Sequence, residues 1–314
     1  MNVVLQYRAS AGFRAILEAA KPQGMTLSVV DEADDAAFAR AMQSADVLLH
    51  VLRPVTAADM AGAPKLRLIQ KIGVGVNTID LDAAKGHNIA VCNMPGTNSR
   101  AVAEMTLMLM LAALRRVMVF DPLTRRGDGW RPDPLQLDQV GEIGGRTVGF
   151  VGFGAVPNAL APALRSLGAE IVYTARTAKA DAAARFVTLD ELLARSDIVS
   201  LHVPSTPQTR GLIGESAIAR MKKGAILINT ARGDLVDEAS LVKALKSGHL
   251  AVAGLDVFAR EPAAQDNPLF QLPNVVLAPH IAWLTPETLK RSVVVAMENC
   301  RRVMAGEPLL HRVI

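Results

Sequence analysis

Three residues that could carry out acid–base and carboxylate chemistry each follow an apolar run in the second half of the sequence. Arg232 follows the run 225–229, Glu261 follows 251–255, and His280 follows 275–278. These runs are short and rich in Val, Ile, Leu and Ala, which predicts β-strands. Because ligands of open α/β sheets bind beyond the carboxyl ends of the strands, we predict that the three side chains meet at one site.

Together these residue types suit the reduction of a 2-keto acid. A guanidinium binds a carboxylate and polarises a carbonyl, so Arg232 is the predicted substrate-binding and electrophilic group. Imidazoles titrate near neutral pH, so His280 is the predicted proton donor, with Glu261 orienting its ring and favouring its protonated form. Taken singly, each has a structural alternative: a turn salt bridge for Arg232, a surface position for Glu261 and a core position for His280. The prediction therefore depends on all three.

A glycine-containing turn predicts a dinucleotide site. The segment VGFVGFGAVP (148–157) runs from an apolar strand into a helical pattern, and Gly152 and Gly154 match the first two glycines of the GxGxxG fingerprint. The amides of Ala155 and Val156 are then available to a pyrophosphate at the helix N-terminus. Pro157 replaces the third glycine and is tolerated in a first helical turn. The alternative is a structural turn without a ligand.

The end of the next predicted strand indicates which dinucleotide binds. Ala175 stands where an acidic residue normally binds the ribose 2′-hydroxyl, and Arg176 and Thr177 follow it. Loss of a carboxylate and gain of a guanidinium favour a 2′-phosphate, so NADP is the predicted cofactor, with NAD possible. A solvated surface Arg176 is the alternative. The six His residues are dispersed and no CxxC motif occurs, so no metal is expected.

Composition and patterning predict two α/β domains. The chain has 314 residues, half of them hydrophobic, and apolar strands alternate with Ala-rich helical segments throughout. The net charge of +4 lacks basic blocks, which favours small anionic partners and argues against nucleic acid. The most apolar stretch is too short to span a membrane, the N-terminal residues lack a signal-peptide pattern, and the two Cys residues are unclustered. We therefore expect a cytoplasmic protein without membrane contacts.

A long Ala-, Leu- and Met-rich helix is predicted over 99–117, followed by a polar excursion over 121–145. The excursion contains Pro and Gly and is too long for an ordinary connection. We expect it to wrap a neighbour, either the other domain or another subunit.

The chain resembles the D-isomer-specific 2-hydroxyacid dehydrogenases. The resemblance covers essentially the whole chain and is carried by the segments KIGVGVNTID (71–80), NMPGTNSRAVAE (93–104), LDELLARSDIVS (189–200), NTARGD (229–234), GLDV (254–257) and PHIA (279–282). It implies two doubly wound parallel-sheet domains, with a Rossmann NAD(P)-binding domain (99–284) inserted into a flavodoxin-like substrate domain (1–98 plus 285–314).

The resemblance also assigns roles to individual residues. It implies a catalytic Arg232 and a Glu261–His280 pair. The implied cofactor contacts are Val203, Pro204, Thr230, Ala231 and Asp256, the last on the nicotinamide side. Val74, Gly75 and Val76 would offer backbone amides to the substrate carboxylate, a role that suits a glycine-bearing loop. The two domains are expected to close over the substrate, and the helix and excursion after residue 98 are expected to build a homodimer.

One departure from the family pattern bears on the substrate. Trp283 stands where many members have Gly, and an indole beside His280 would narrow the pocket and add an N–H donor. This favours a small 2-keto acid such as glyoxylate or hydroxypyruvate, although Trp283 could instead pack at the domain interface. Other 2-keto acid reductases or a phosphoglycerate-type dehydrogenase remain alternatives, the latter needing extra cations for its phosphate. A non-catalytic dinucleotide sensor on the same fold is the alternative from another class.

Overall fold

The chain divides into two compact units joined by two chain crossings. The computed structural model describes residues 1–179 and 184–314. The first unit combines Met1–Asn98 with Leu284–Ile314, and the second unit is Ser99–Trp283. The chain passes from the first unit to the second after Asn98 and returns to the first unit after Trp283. The second unit is therefore an insertion within the first.

The first unit contains a five-stranded parallel sheet in the order β2-β1-β3-β4-β5. Its strands are β1 (Asn2–Gln6), β2 (Thr26–Val30), β3 (Val47–His50), β4 (Leu68–Lys71) and β5 (Ala90–Cys92). Strands β3, β4 and β5 are buried along their whole length. Continuous burial of parallel strands requires cover on both faces, which explains their unbroken apolar runs. The order 2-1-3-4-5 is the flavodoxin-like arrangement predicted for this part of the chain.

The second unit contains a parallel sheet with seven described strands, in the order β12-β11-β10-β9-β6-β7-β8. They are β6 (Thr147–Val151), β7 (Glu170–Thr174), β8 (Arg185–Phe186), β9 (Ile198–Leu201), β10 (Ala225–Asn229), β11 (Leu250–Leu255) and β12 (Val275–Leu277). Counted from its own first strand, the unit follows the Rossmann order 3-2-1-4-5-6 with one further strand. The predicted fold class is confirmed. Only the exposed two-residue strand β8 was not predicted, because it has no apolar run.

Helices cover both sheets. Those of the described residues are α1 (Ala11–Ala20), α2 (Asp35–Met42), α3 (Ala57–Ala61), α4 (Leu81–Gly86), α5 (Ser99–Leu114), α6 (Val117–Arg125), α7 (Pro134–Leu137), α8 (Ala155–Ser166), α9 (Leu189–Arg195), α10 (Glu215–Arg220), α11 (Glu238–Lys246) and α12 (Pro286–Ala305). Several begin at side-chain caps, including Ser10, Asp34 and Asp80. Thr56 and Thr188 form capping boxes. None of the helices in the described ranges is both long and apolar enough to cross a membrane.

The region after α5 differs from the sequence prediction. The predicted helix 99–117 ends at Leu114, because Arg116 adopts a left-handed backbone conformation with φ of 52°. Helix α6 begins at Val117, at the end of the predicted helix, and extends into the predicted polar excursion, which also contains α7. Neither α6 nor α7 has a buried residue. These two helices lack an apolar face turned into the core, so the sequence pattern did not reveal them.

Candidate functional site

Five strand ends of the second unit lie along one edge of its sheet. Strands β12, β11, β10, β9 and β6 are neighbours in that order and run parallel, so their carboxyl ends share an edge. The loops at this edge carry the predicted catalytic residues and most of the predicted cofactor residues. The structure therefore brings together on one unit the groups that the sequence placed at strand ends.

The loop that follows β10 is held by the side chain of Asn229, which is 1% exposed. Its Oδ1 accepts from the amide of Ala231 at 3.0 Å, and its Nδ2 donates to the carbonyl of Arg232 at 2.8 Å. Thr230 is buried within the same loop, and its hydroxyl lies 2.9 Å from that of Thr106. Sequence reasoning did not identify Asn229, whose role becomes visible only from these two bonds.

Gly233 fixes the Arg232 loop against the segment that follows β11. A Cβ atom built on Gly233 would lie 1.8 Å from the carbonyl carbon of Phe258. No side chain fits there, because real contacts of this kind stay above about 3 Å. Glycine at this position therefore allows Arg232 and the Glu261 segment to approach each other closely.

The Arg232 side chain is partly buried at this edge. Its Nη1 donates to the carbonyl of Ala231 at 2.7 Å. Burial lowers the pKa of the Arg232 guanidinium below its ordinary value, and the carboxylates of Glu261 and Asp234 oppose that shift. An arginine still keeps its charge at every working pH. Arg232 is thus a permanent cation beside the Glu261 carboxylate.

Glu261 and His280 form a direct pair. The Nδ1 atom of His280 lies 2.6 Å from Oε2 of Glu261, and Oε1 of Glu261 accepts from the amide of Phe258 at 3.0 Å. Burial pushes the pKa of Glu261 upward, but the hydrogen bond and charge of His280 outweigh it, and the pKa lies below its ordinary value. Since the carboxylate holds a proton on Nδ1, the other ring nitrogen, Nε2, is the atom left for proton exchange with a ligand.

The His280 turn is held by backbone and side-chain hydrogen bonds. His280 has a left-handed conformation with φ of 56°, and its amide donates to the carbonyl of Asp256 at 2.7 Å. The Asp256 side chain is fully buried, and its two oxygens accept from the amides of Ile281 and Ala282 at 2.8 and 2.9 Å. Burial raises the pKa of Asp256, although these two bonds oppose the shift. Asp256 therefore fixes the turn, and its contact with a nicotinamide stays a prediction.

Trp283 takes part in the same turn. Its indole Nε1 donates to the carbonyl of His280 at 3.0 Å, and the side chain is 9% exposed. This N–H was predicted to be available to a substrate, whereas in the structure it already has a protein acceptor. The indole ring stays a predicted wall of the substrate pocket.

The turn between β6 and α8 fits a pyrophosphate. Gly152 has φ of 94°, and a Cβ atom there would lie 2.7 Å from the carbonyl oxygen of His202. Gly154 caps α8 without a side-chain hydrogen bond and faces open space. The amides of Ala155 and Val156, in the first turn of α8, have no intrahelical acceptor and can donate to an anion.

The predicted 2′-phosphate contacts follow β7. Arg176 and Thr177 are exposed, next to Ala175. In the described part of the chain, no carboxylate forms an ion pair with Arg176. The amide of Lys179 donates to the Tyr173 hydroxyl at 2.7 Å and so anchors this loop to the strand.

The predicted contacts after β9 lie at the same edge. Val203 is half-buried, and its Cγ1 would lie 2.8 Å from a Cβ atom on Gly152. Pro204 is exposed. Val203 therefore packs directly against the glycine turn that is predicted to carry the pyrophosphate.

The remaining predicted residues belong to the first unit. Val74, Gly75 and Val76 form part of the loop after β4, and Nδ2 of Asn93 donates to the carbonyl of Val74 at 2.9 Å. Within the described residues, the amides of 74, 75 and 76 have no acceptor. Successive free amides of this kind form a concavity suited to an anion.

A metal centre has no support in the described ranges. No group of three or more His, Cys, Asp or Glu side chains there has the arrangement of a metal site. The two Cys residues are buried and free.

Comparison with known proteins gives consistent similarities. Residues 107–282 match the model described as "D-isomer specific 2-hydroxyacid dehydrogenase, NAD binding domain". A D-3-phosphoglycerate dehydrogenase of Mycobacterium leprae is 39% identical over 285 residues, covering 88% of this chain and 53% of that protein. The chain thus spans about half the length of these first relatives.

Other relatives match over most of their length. A glyoxylate reductase of Aeropyrum pernix is 41% identical over 266 residues, covering 82% of this chain and 79% of that protein. Among solved structures, the TT0316 protein of Thermus thermophilus superposes with a TM-score of 0.90 at 36% identity, with each chain covered completely.

Proposed function

Because the chain belongs to the family of D-isomer-specific 2-hydroxyacid dehydrogenases, we propose that it transfers a hydride between NADP(H) and a small 2-keto or D-2-hydroxy acid. Reduction of glyoxylate or hydroxypyruvate is the proposed reaction. The observation that carries the proposal is the 2.6 Å contact between Glu261 and His280 on the sheet edge that also carries Arg232. A protein that only senses a dinucleotide would not need this acid–base pair.

In the proposed mechanism each residue has a defined role. Arg232 binds the substrate carboxylate and polarises the keto oxygen, and the amides of residues 74–76 donate to the same carboxylate. The hydride for the keto carbon would come from a reduced nicotinamide bound at this sheet edge. The proton on Nε2 of His280 then passes to the keto oxygen, which completes the hydroxyl group. Glu261 stabilises the protonated ring while it holds that proton.

The cofactor residues are proposed on the same grounds. Gly152 and Gly154 let the backbone approach the pyrophosphate, and the amides of Ala155 and Val156 donate to it. Val203, Pro204, Thr230, Ala231 and Asp256 are the proposed contacts toward the nicotinamide. The exposed Arg176, beside an alanine in place of an acid, supports a 2′-phosphate and thus NADP over NAD.

A phosphorylated substrate would need an additional cation without a counter-charge. Arg53 of the first unit does not supply one, which supports a small, non-phosphorylated substrate. The Arg53 guanidinium is paired with Asp35 at 3.0 Å and Asp59 at 3.4 Å, so its charge is already compensated within the first unit. A relative named glyoxylate reductase is 41% identical. The second candidate substrate is a phosphorylated hydroxy acid, which the relatives named D-3-phosphoglycerate dehydrogenase favour.

We also propose a homodimer built through the excursion after α5. Trp130 is 89% exposed and Leu135 is 69% exposed, and neither α6 nor α7 has a buried residue. Apolar side chains exposed together in this way indicate a protein interface. Sedimentation analysis with a Trp130→Glu variant tests this: the wild-type protein should sediment as a dimer and the variant as a monomer.

The function is tested by a substrate panel. Glyoxylate, hydroxypyruvate, 3-phosphohydroxypyruvate and pyruvate are reduced with NADPH or NADH, with His280→Ala as the inactive control. We expect the highest kcat/KM with glyoxylate or hydroxypyruvate and NADPH. A preference for 3-phosphohydroxypyruvate would favour the second candidate, and inactivity on the whole panel would favour a dinucleotide sensor.

A further inference from the structure

The second unit has a cavity at the edge of its sheet opposite to the proposed dinucleotide site. Its volume is about 640 Å³. Gly224, Leu250 and Asn274, which stand at or directly before the starts of β10, β11 and β12, line it together with the end of α5. A volume of this size holds a small organic molecule.

The charged residues of this cavity are all cationic. Arg116, Arg146 and Lys246 line it, and no Asp or Glu in the ranges 1–179 and 184–314 does. Lys246 is exposed in the last turn of α11. Arg146 is half-buried and its Nε donates to the carbonyl of Glu142 at 2.7 Å. The charge of Arg146 contributes to the lowered pKa of Asp197, a carboxylate that is already paired with Lys222 at 2.9 Å.

Arg116 is half-buried, as Arg146 is. Among the described residues, the Arg116 guanidinium bonds only neutral acceptors, Oε1 of Gln139 at 2.6 Å and the carbonyl of Ala251 at 3.4 Å. Burial lowers the pKa of Arg116, and no carboxylate in the described part of the chain opposes this shift. A partly desolvated charge without a counter-charge is costly to the protein and favours an incoming anion.

Apart from Gln139 and Asn274, the remaining wall of the cavity is apolar. Leu114, Ile226 and Leu250 contribute to it. We propose that this cavity binds a small amphipathic anion, a metabolite that carries two or more carboxylate or phosphate charges beside a hydrocarbon portion. The charges would meet Arg116, Arg146 and Lys246, and the hydrocarbon portion would cover the apolar wall. This site is separate from the proposed catalytic site and does not depend on the proposed function.

Isothermal titration tests the proposal with two probes, benzene-1,3,5-tricarboxylate and inorganic pyrophosphate. The full chain is titrated with NADPH present at saturation, so that the dinucleotide site is blocked. We expect one probe molecule per chain and an affinity that falls as salt concentration rises. Tighter binding of the tricarboxylate would identify a carboxylate ligand, and tighter binding of pyrophosphate a phosphate ligand.

Variants locate the binding. Arg116→Gln should weaken the better probe about tenfold, the loss of roughly one charge-assisted hydrogen bond. Lys246→Gln should also weaken the binding of this probe. Because Lys246 is exposed, this variant should fold, and it keeps the test valid if Arg116→Gln does not fold. Arg40→Gln, which removes an exposed charge from the first unit, should have no effect. The proposal would be overturned if neither probe binds, which is the result expected if a second copy of the chain fills the cavity. It would also be overturned if both cavity variants bind the probe as the wild type does.

Discussion

The carboxylate of Glu261 contacts Nδ1 of His280 at 2.6 Å and contacts the amide of Phe258 with its other oxygen. The backbone of Phe258 in turn lies against Gly233, where no Cβ atom fits. Because Gly233 directly follows Arg232, one close backbone contact sets the positions of the guanidinium, the carboxylate and, through it, the imidazole.

Replacing Glu261 with Gln should lower kcat for glyoxylate reduction about 100-fold or more, because an amide orients the imidazole without stabilising its protonated form. KM should change little, since Glu261 is not proposed to bind the substrate. Steady-state kinetics measures both. Glu215→Gln, which removes an exposed carboxylate paired with Lys243, is the control. An equally active E261Q would contradict the proposed role.

Replacing Asp256 with Asn should loosen the His280 turn. The amides of Ile281 and Ala282 donate to different oxygens of the carboxylate, and in Asn one of these oxygens is replaced by an NH2 group. One of the two backbone amides would then face a donor instead of an acceptor. The free energy of unfolding should fall by about 1–3 kcal/mol, the cost of an unsatisfied buried donor. Denaturant unfolding measures this and kinetics should show a lower kcat. Unchanged stability would mean that the turn is held without Asp256.

Trp283→Phe separates the two roles of the indole. It keeps an aromatic ring but removes the donor to the His280 carbonyl, so kcat should fall by less than about tenfold, the worth of one ordinary hydrogen bond. Trp283→Gly should in addition raise kcat/KM for larger keto acids relative to glyoxylate. If the glycine variant keeps the wild-type substrate order, the ring does not shape the pocket.

Arg176→Ala should raise the Kd of NADPH by at least about tenfold, because a charge-assisted hydrogen bond to the 2′-phosphate is lost. The Kd of NADH should stay nearly constant, since NADH lacks that phosphate. Fluorescence titration of both coenzymes measures the two constants. Equal weakening of both would reject the NADP assignment, and Arg165→Ala at the far end of α8 serves as the charge control.

His50 should make the chain less stable in mild acid. It is 1% exposed, and burial together with the Lys71 and Arg53 charges lowers its pKa to about 3. In the unfolded chain His50 takes up a proton near pH 6.5, and in the folded chain it does not. The contribution of the neutral, buried His50 to the free energy of unfolding is therefore complete above pH 6.5 and is lost as pH falls. Between pH 7 and pH 5 the loss is about 2 kcal/mol.

Urea unfolding at pH 7 and pH 5 measures this contribution. His50→Gln keeps a donor for the Arg53 carbonyl but cannot titrate, so the pH-dependent loss should shrink by about 2 kcal/mol. His87→Gln, an exposed histidine of the same unit, should leave it unchanged. The same loss in the wild type and H50Q would show that His50 titrates normally.

The elements that position the site were predictable because they are apolar and repeat with a clear period. The strands β10, β11 and β12 are short hydrophobic runs, and the residues after them met at one edge as parallel pairing requires. The parts that were missed depend on contacts between distant residues. Neither the amide bonds of Asp256 nor the close approach at Gly233 leaves a local pattern.

The absence of a hydrophobic pattern also explains which secondary-structure elements were not predicted from the sequence. Strand β8 is two exposed residues long and has no hydrophobic run. The helix after Arg116 contains Pro122 and buries nothing, so its sequence resembles an irregular segment. The indole N–H of Trp283 was predicted to be available to a ligand, because the sequence alone does not show that the carbonyl of His280 lies within hydrogen-bond distance of it.

The insertion of the second unit into the first has a consequence for biosynthesis. Helix α12, which packs on α1 and β4, includes the fully buried Ala296 and Cys300, and Asn299 donates to Gln70 at 2.6 Å. On the ribosome, Met1–Asn98 therefore emerges long before the helix that completes its core, while Ser99–Trp283 emerges as one continuous stretch. The inserted unit can become native first, and the core of the flanking unit stays incomplete until α12 has been translated.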